Sequence, residues 1–333
     1  MKALVTGGGG FLGLAIVRGL RKRGAEVRSF SRQAHDALAG LGAEHVKGDL
    51  ADAAAVAAAV AGCDVVFHVA AKPGIWGDYA DYHRTNVAGT QHVIDACRAQ
   101  RVRRLVYTSS PSVVFDGRDM EGVDESVPYS VNYASHYAAH YPRTKAMAEQ
   151  RVRAANGAEL ATVSLRPHLV WGPGDNHLLP RLVARARAGQ LARIGSRANL
   201  IDTVYVDNAA EAHLLAAERL APGSPIAGKV YFISQGEPLP LWEMVGRLLD
   251  AAGAPRVTRA IPVPLALLLA WGFETAHRLT GNPNEPRLTR FVVHELSTAH
   301  WFDLAAARRD LGYAPAVSIA EGLERLRNHL AKS

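Results

Sequence analysis

The residues best suited to catalysis are a tyrosine and a lysine four positions apart, Tyr141 and Lys145. On a helix this spacing places both side chains on one face. A tyrosine hydroxyl, with an ordinary pKa of about 10, exchanges protons poorly near neutrality, and a neighbouring ammonium group is expected to lower that pKa. A serine hydroxyl beside them could donate to a carbonyl oxygen on which negative charge develops. Together these groups would form a proton-transfer site beside a hydride donor.

Two adjacent serines, Ser109 and Ser110, are candidates for that hydroxyl because they follow an apolar run, Leu105 to Thr108, that predicts a strand. We favour Ser110, although the choice depends on alignment by a single residue. A tyrosine and a lysine at this spacing are common by chance, and a tyrosine facing a core is the usual alternative. The predicted catalytic residues are therefore Ser110, Tyr141 and Lys145, provided that the chain also binds a hydride-carrying cofactor.

The start of the chain has the pattern of such a cofactor site. An apolar run from Lys2 to Val5 leads into Thr6 and then into a glycine-rich turn that ends at Gly13. Glycines at this point allow a tight turn and a close approach of a pyrophosphate to the N-terminus of the next helix. Gly7, Gly10 and Gly13 fit one known spacing, and Gly8, Gly10 and Gly13 fit another. A P-loop is excluded because neither Lys-Ser nor Lys-Thr follows the last glycine.

The choice of dinucleotide depends on the end of the second predicted strand, Glu26 to Phe30. An acid there would bind the 2′-hydroxyl of the adenosine ribose and repel a 2′-phosphate. This chain instead has Ser31 followed by Arg32, eighteen and nineteen residues after Gly13. A hydroxyl and an arginine favour NADP(H), and a solvated surface arginine is the alternative for Arg32.

Strand and helix patterns alternate through the first half, which predicts an α/β fold with a Rossmann-type, doubly wound parallel sheet. Beyond Arg166 prolines and glycines cluster, and the alternation becomes irregular. We expect an NADP(H)-binding domain over residues 1–166 and a mainly substrate-binding region over 167–333. A strand near 230–233 is expected to return to the main sheet.

Composition limits the function classes. The chain has 333 residues, of which 48% are hydrophobic and 21% are charged, which is typical of a globular protein. Two cysteines give no disulfide framework and suit a reducing cytoplasm, and no signal peptide precedes the first strand. The net charge of +7 is scattered over helix faces rather than arranged as a nucleic-acid-binding stripe. No nucleic-acid partner and no metal are predicted, and the excess positive charge is compatible with an anionic cofactor, substrate or membrane surface.

With these motifs in place, the chain resembles the extended short-chain dehydrogenases/reductases over nearly its whole length. The resemblance assigns cofactor contacts to Gly7, Gly10, Phe11, Leu12, Gly13, Ser31, Arg32, Asp49, Leu50, Val69, Ala70, Ala71, Asn86, Tyr141, Lys145 and Pro167. It implies that the tyrosine is the general acid for ketone reduction, that the lysine holds the ribose hydroxyls and lowers the tyrosine pKa, and that the serine orients the substrate carbonyl. It also implies a homodimer formed through the helices near 82–99 and 141–155.

Within that superfamily the chain is similar to the 3β-hydroxysteroid dehydrogenase branch, through Asp202 to Asn208 and Asp310 to Tyr313. It resembles more closely the NADPH-dependent reductases of bacterial long-chain olefin biosynthesis, which act on 2-alkyl-3-oxoalkanoic acids. This resemblance rests on Ala71 to Gly77, Trp171 to Arg181 and Leu296 to Trp301. It implies a long-chain hydrophobic keto acid as the substrate and assembly with other enzymes of the olefin pathway.

Such a substrate needs a cation or N–H donors for its carboxylate, and apolar walls for its tails. Lys72 and Arg181 are candidates for the carboxylate, each with a structural role as the alternative. The apolar run from Ile261 to Trp271 is about half the length of a membrane span. It could be a core helix, a wall or lid for the substrate, a contact for a partner, or a peripheral membrane contact.

Three other functions share parts of this pattern. A hydroxysteroid dehydrogenase could have the same catalytic residues and an equally apolar pocket. A nucleotide-sugar epimerase usually binds NAD and would favour an acid at position 31, so Ser31 counts against it. A non-catalytic dinucleotide sensor would typically lack the tyrosine or the lysine, and both are present.

Overall fold

The computed structural model describes residues 1–137, 139–282 and 284–332. Its centre is a seven-stranded sheet in which every neighbouring pair is parallel. In chain order the strands are β1 (Lys2–Thr6), β2 (Glu26–Ser31), β3 (Glu44–Lys47), β4 (Val65–His68), β5 (Arg104–Thr108), β6 (Met120–Val123), β7 (Ala161–Pro167), β8 (Val170–Trp171), β9 (Arg193–Ile194), β10 (Leu200–Ile201), β11 (Val204–Tyr205), β12 (Val230–Ile233), β13 (Leu239–Pro240), β14 (Ala260–Ile261) and β15 (His300–Phe302). The central sheet has the order β12-β7-β5-β4-β1-β2-β3.

Helices cover both faces of this sheet. They are α1 (Phe11–Lys22), α2 (Asp36–Gly40), α3 (Ala53–Val60), α4 (Tyr79–Tyr82), α5 (Gly89–Ala99), α6 (Val131–His136), α7 (His140–Ala154), α8 (Leu178–Arg187), α9 (Val206–Arg219), α10 (Leu241–Ala251), α11 (Val263–Thr280), α12 (Arg290–Ser297), α13 (Ala305–Leu311) and α14 (Ile319–Leu330), with a π-helical segment, His83–Ala88, and a 3₁₀ turn, Pro111–Val113. Helices α3, α5 and α7 pack on one face, and α1 and α9 pack on the other.

The strands are buried on both faces, which explains their nearly continuous apolar sequences. All seven residues of β7 are buried, as are all four of β4 and β12. The chain order reverses at β1, because β2 lies on one side of it and β4 on the other. Ligands of such sheets bind where the strand order reverses, at the carboxyl ends of the strands. The predicted site residues lie at this edge.

A smaller four-stranded sheet, in the order β13-β10-β15-β6, combines three strands of the C-terminal region with β6 from the first half of the chain. Asn208 at the start of α9 connects this region to the rest of the chain. Its side-chain oxygen accepts from the amides of Ala316 and Val317 at 3.0 Å each, and its Nδ2 donates to the carbonyl of Val317 at 2.8 Å. None of the helices within the described residues is long and apolar enough to span a membrane.

Candidate active site

The turn after β1 requires glycine at two positions for geometric reasons. Gly7 has a left-handed backbone, with φ of +69°, and a Cβ there would lie 3.1 Å from Ala70. A Cβ on Gly13, in the first turn of α1, would lie 2.1 Å from the carbonyl oxygen of Gly7. Gly10 is the N-cap of α1 and donates its amide to that same carbonyl at 2.9 Å. The first amides of the helix, including those of Phe11 and Leu12, have no partner within the helix and can bind an anion.

A chain of hydrogen bonds beneath this turn fixes the protonation of a buried histidine. Thr90 Oγ1 donates to the carbonyl of Asn86 at 2.6 Å, so it must accept from His68 Nε2, 2.9 Å away. His68 Nδ1 is then unprotonated and accepts from Thr6 Oγ1 at 2.8 Å. Burial, with a smaller contribution from the Lys145 ammonium, lowers the His68 pKa to about 3, which agrees with a neutral ring. Thr6 Oγ1 in turn accepts the amides of the residues that follow β4.

Those residues form the predicted loop beneath the nicotinamide ribose. The amides of Val69 and Ala70 each donate to Thr6 Oγ1 at 3.1 Å. Ala71 is the next residue in the loop. The Asn86 side chain then accepts from the Lys72 amide at 2.7 Å and donates to Thr144 Oγ1 at 3.0 Å. The loop is thereby attached both to β1 and to α7.

Asn86 lies in the π-helical segment, where the sequence predicts one continuous helix over about residues 82–99. The structure instead has α4, the π-helical segment and α5 in succession. π-Helical turns are rare and occur frequently at functional sites. The sequence did not reveal this interruption, because the apolar periodicity continues through it.

The predicted adenosine end lies at the carboxyl ends of β2 and β3. Ser31 Oγ donates to the Gln33 carbonyl at 2.8 Å and lies 3.1 Å from His45 Nε2, so its hydroxyl already has local partners. Arg32 is exposed and has no side-chain partner within the described residues. Asp49 is exposed and Leu50 is buried, directly beyond β3.

The proposed catalytic side chains meet at the ends of β5 and α7. Ser110 caps the 3₁₀ turn that packs against α7, and its hydroxyl lies 2.9 Å from Ser112 Oγ. The Ser110 hydroxyl is also close enough to Tyr141 to lower the Tyr141 pKa. Ser109 is buried, and its backbone amide donates to the Leu165 carbonyl at 2.6 Å.

The electrostatics of Tyr141 differ from our expectation. Burial raises the Tyr141 pKa to about 12, and this outweighs the lowering by the neighbouring Ser110 hydroxyl. Lys145 Nζ instead donates to the Thr108 carbonyl at 2.5 Å and lies 4.2 Å from the centroid of the Tyr107 ring. The expectation that the ammonium lowers the tyrosine pKa is therefore wrong for the chain alone. Burial also lowers the Lys145 pKa to about 7, against the opposing effect of Glu149.

A buried ion pair behind the lysine was missed by the sequence analysis. Glu149, one turn beyond Lys145 on α7, accepts from Arg166 Nη2 at 2.6 Å and from Arg166 Nε at 3.0 Å. Tyr129 donates a third hydrogen bond to the carboxylate at 2.7 Å. These bonds hold the Glu149 pKa below its usual range despite burial. The four-residue spacing of Tyr141, Lys145 and Glu149 was the available signal.

A second acidic group, Glu295 on α12, was also missed. Burial raises its pKa to about 7, and its carboxyl group has no hydrogen-bond partner among the described residues. A negative charge on Glu295 raises the Tyr141 pKa, so the two groups lie within electrostatic range of each other. Helix α12 lies near the segment that precedes Tyr141, since the centroids of the His294 and Tyr137 rings are 5.4 Å apart. No pattern near position 295 distinguished this glutamate from a surface residue.

The remaining predicted residues have mixed outcomes. Pro167 ends β7 at the same edge of the sheet, where the next residue, His168, donates its amide to the Ile233 carbonyl at 3.0 Å. Lys72 Nζ is paired with Asp81 at 3.0 Å, and Arg181 is paired with Glu285 at 2.6 Å. Each cation thus has a carboxylate partner, as the structural alternative expects, and binding of a substrate carboxylate by either stays a prediction. The run 261–271 is not a fully buried core helix, because several of its leucines are exposed.

A dinucleotide-binding parallel sheet with serine, tyrosine and lysine at its carboxyl edge defines an oxidoreductase of the extended short-chain dehydrogenase/reductase class. The chain belongs to the 3-beta hydroxysteroid dehydrogenase/isomerase family, whose model matches residues 4–265. The predicted family, fold class and oxidoreductase activity are confirmed. Enzymes of this family depend on NAD(P), and the glycine turn with its free helix N-terminus fits such a dinucleotide.

Similar proteins extend over the full length of the chain. A 2-alkyl-3-oxoalkanoate reductase from Stenotrophomonas maltophilia is 54% identical, with 98% of each chain covered. A protein of the same name from Shewanella oneidensis is 46% identical, with 98% of this chain and 86% of that protein covered. The solved structure of UDP-glucose 4-epimerase from Thermus thermophilus, in complex with NAD, superimposes with a TM-score of 0.73 at 23% identity. The alignment covers both chains completely. This last likeness shows the fold.

Proposed function

We propose that this enzyme reduces the 3-oxo group of a long-chain 2-alkyl-3-oxoalkanoic acid to the 3-hydroxy acid, with NADPH as the reductant, in long-chain olefin biosynthesis. The single observation that carries the chemistry is the packing of the turn that Ser110 caps against α7, which carries Tyr141 and Lys145, at the carboxyl edge of the sheet. The names of the two relatives in Stenotrophomonas maltophilia and Shewanella oneidensis support the substrate.

The proposed roles follow from what each side chain can donate. Reduced nicotinamide, when bound, supplies a hydride to the carbonyl carbon. Ser110 donates a hydrogen bond to the carbonyl oxygen and orients it. Tyr141 then gives its hydroxyl proton to the oxygen that becomes the alcohol, and its high pKa keeps this proton in place beforehand. Lys145, which already donates to the Thr108 carbonyl, is proposed to bind ribose hydroxyls.

NADP(H) is proposed from the end of β2. Arg32 is exposed and without a partner among the described residues, and an arginine binds a phosphate group with strong, charge-assisted hydrogen bonds. The cofactor contacts proposed for Gly7, Gly10, Gly13, Asp49, Leu50 and the other residues named above belong to the same proposal. Residues 1–166 as the cofactor domain, a homodimer, a cytoplasmic location and assembly with olefin-pathway enzymes remain predictions.

A 3β-hydroxysteroid dehydrogenase is the second candidate, because the family model that matches residues 4–265 carries that description. Oxidation of NADPH and NADH should be followed in parallel with a 2-alkyl-3-oxoalkanoic acid and with a 3-keto steroid. We expect NADPH oxidation with the keto acid, and its loss in Tyr141→Phe. Turnover with the steroid alone would show that the substrate is a steroid and not the keto acid. Turnover with NADH alone would show that the cofactor is NAD(H) and not NADP(H).

A further inference from the structure

Helix α11 has its apolar side chains on the outside. Among the described residues, eight large hydrophobic side chains are exposed, and five of them belong to this one helix. They are Leu265, Leu268, Leu269, Trp271 and Leu279, with exposed fractions between 42% and 83%. An ordinary surface helix of a globular protein presents polar residues to solvent and apolar residues to the core.

The inner face of the same helix is small and partly charged. Ala266, Ala270 and Glu274 follow each other at intervals of four residues and are all buried. Glu274 accepts from the backbone amide of Arg290 at 2.7 Å and from its Nε at 2.9 Å, which fixes α11 to α12. Glu274, whose carboxylate is buried, therefore holds α11 with its alanine face inward and its leucines outward.

The surroundings of this apolar face are basic. At the start of α11, β14 pairs with β9, which brings Arg259 close to Arg193. Arg259 is exposed and has no side-chain partner within the described residues. Near the other end, Arg278 is exposed on the helix itself, and the exposed Arg287 follows in the next loop. The segment 178–197 contains five arginines and no aspartate or glutamate.

The helix also lies beside the proposed active site. The His277 ring is 6.1 Å from the Trp76 ring, and the Arg278 guanidinium is 5.9 Å from the Trp76 ring centroid. Trp76 belongs to the segment that follows the loop fixed by Asn86. Helix α12, attached to α11 through Glu274, carries Glu295, whose charge influences the Tyr141 pKa.

We propose that the exposed face of α11 docks this enzyme on an anionic lipid surface. Leucine and tryptophan side chains would enter the boundary between headgroups and acyl chains, and the arginines at both ends would contact anionic headgroups. A second copy fits this face less well, because two such faces would bring arginines of like charge together. Docking would place the proposed active site next to the lipid, in which an apolar substrate dissolves. The docking proposal itself does not rest on the identity of the substrate.

The test is sedimentation of the full chain with vesicles of phosphatidylcholine, alone and mixed with phosphatidylglycerol. We expect stronger binding to the mixed vesicles, and weaker binding at high salt. Replacing two leucines, in Leu265→Gln/Leu268→Gln, should lower binding by about tenfold or more. The matched control, Leu330→Gln, changes an exposed leucine on α14 and should bind as the unchanged chain does.

A second variant, Arg259→Gln, separates charge from apolar contact. It should lose about fivefold in binding to the mixed vesicles, from the roughly 1 kcal/mol that one arginine contributes near such a surface, and nothing on phosphatidylcholine alone. Folding of each variant is checked by its melting temperature. Failure of the unchanged chain to bind mixed vesicles would overturn the proposal. A dimer that the double leucine variant dissociates in the absence of lipid would also overturn it, in favour of a second copy.

Discussion

Lys145 and Glu149 lie one turn apart on α7, yet the lysine donates to the Thr108 carbonyl and the glutamate pairs with Arg166. The Glu149–Arg166 pair is almost completely buried. The Glu149 carboxylate is therefore a fixed negative charge near Lys145, although its hydrogen bonds go to Arg166 and not to the lysine. That charge opposes the lowering of the Lys145 pKa by burial. The pair is a positioning device for the lysine rather than part of the proton-transfer group itself.

The first prediction concerns this ion pair. Glu149→Gln leaves the Arg166 guanidinium buried without its counter-charge, which typically costs about 3–5 kcal/mol of unfolding free energy. We expect a lower melting temperature and a Lys145 pKa below about 7, which moves the alkaline limb of the pH–rate profile downwards. The double variant Glu149→Gln/Arg166→Met, which removes both charges, should recover much of the stability but not the pH profile. Equal pH profiles in all three proteins would contradict the positioning role.

The second prediction concerns the pH dependence of substrate choice, and it rests on the proposed substrate. Below pH 7 Glu295 is protonated, because burial raises its pKa to about 7, and it can donate to a substrate carboxylate. Above pH 7 it becomes charged and repels that carboxylate. Lys145 titrates in the same range, but it affects acidic and neutral ketones alike. The ratio of kcat/KM for the keto acid to that for its methyl ester should therefore fall as the pH rises through 7.

The matched variant for this test is Glu295→Gln, which keeps the shape of the side chain and removes its titration. Its ratio should be flat across the same pH range. The unfolding free energy gives an independent readout. The unfolded chain loses this proton near its ordinary pKa and the folded chain only near 7, so stability should fall between these pH values. Glu295→Gln should remove that contribution, and an unchanged slope would argue against a buried carboxyl.

The third prediction concerns the glycine turn. Gly13→Ala puts a Cβ 2.1 Å from the Gly7 carbonyl oxygen, so the turn must open. We expect dinucleotide affinity, measured by quenching of protein fluorescence, to fall by at least about tenfold, since one lost charge-assisted hydrogen bond costs about 1.5–3 kcal/mol. Gly40→Ala is the control, because a Cβ there meets nothing within 4 Å and alanine favours the helix. Equal affinity in both variants would show that the turn does not hold the dinucleotide.

The fourth prediction concerns cofactor choice. Arg32→Ala should weaken NADPH binding by roughly tenfold to a hundredfold, because a hydrogen bond to a charged phosphate is worth about 1.5–3 kcal/mol. NADH binding should be nearly unchanged. Ser31→Asp should weaken NADPH binding further and strengthen NADH binding, since an acid accepts a hydrogen bond from a ribose hydroxyl and repels a phosphate. The readout is the ratio of kcat/KM for the two cofactors. Lys22→Ala, which removes another exposed cation at the far end of α1, should leave this ratio unchanged.

Most strands of the sheet were predictable because they are short, largely apolar runs that end in glycine or polar residues, although β3 (Glu44–Lys47) is mainly polar. The carboxyl edge was predictable in turn, because parallel strands place the residues that follow them side by side. The ion pair of Glu149 with Arg166 was not, since it joins a helix to a strand seventeen residues later. The partners of Lys72 and Arg181 were also hidden, because an isolated sequence does not show which acid lies near a cation. The outward face of α11 depends on Glu274, whose partner Arg290 lies on another helix.

The position of β12 in the sheet affects how the protein unfolds. β12 is the outermost strand of the sheet and covers one side of β7, yet it comes sixty-three residues after the end of β7 in the chain. A fragment that stopped at Arg166 would expose the unpaired backbone of a strand that is completely buried in the whole protein, which invites aggregation. The cofactor region therefore depends on the later half of the chain for its last strand. We expect the two regions to melt in one cooperative transition, with no folded intermediate that contains only the first.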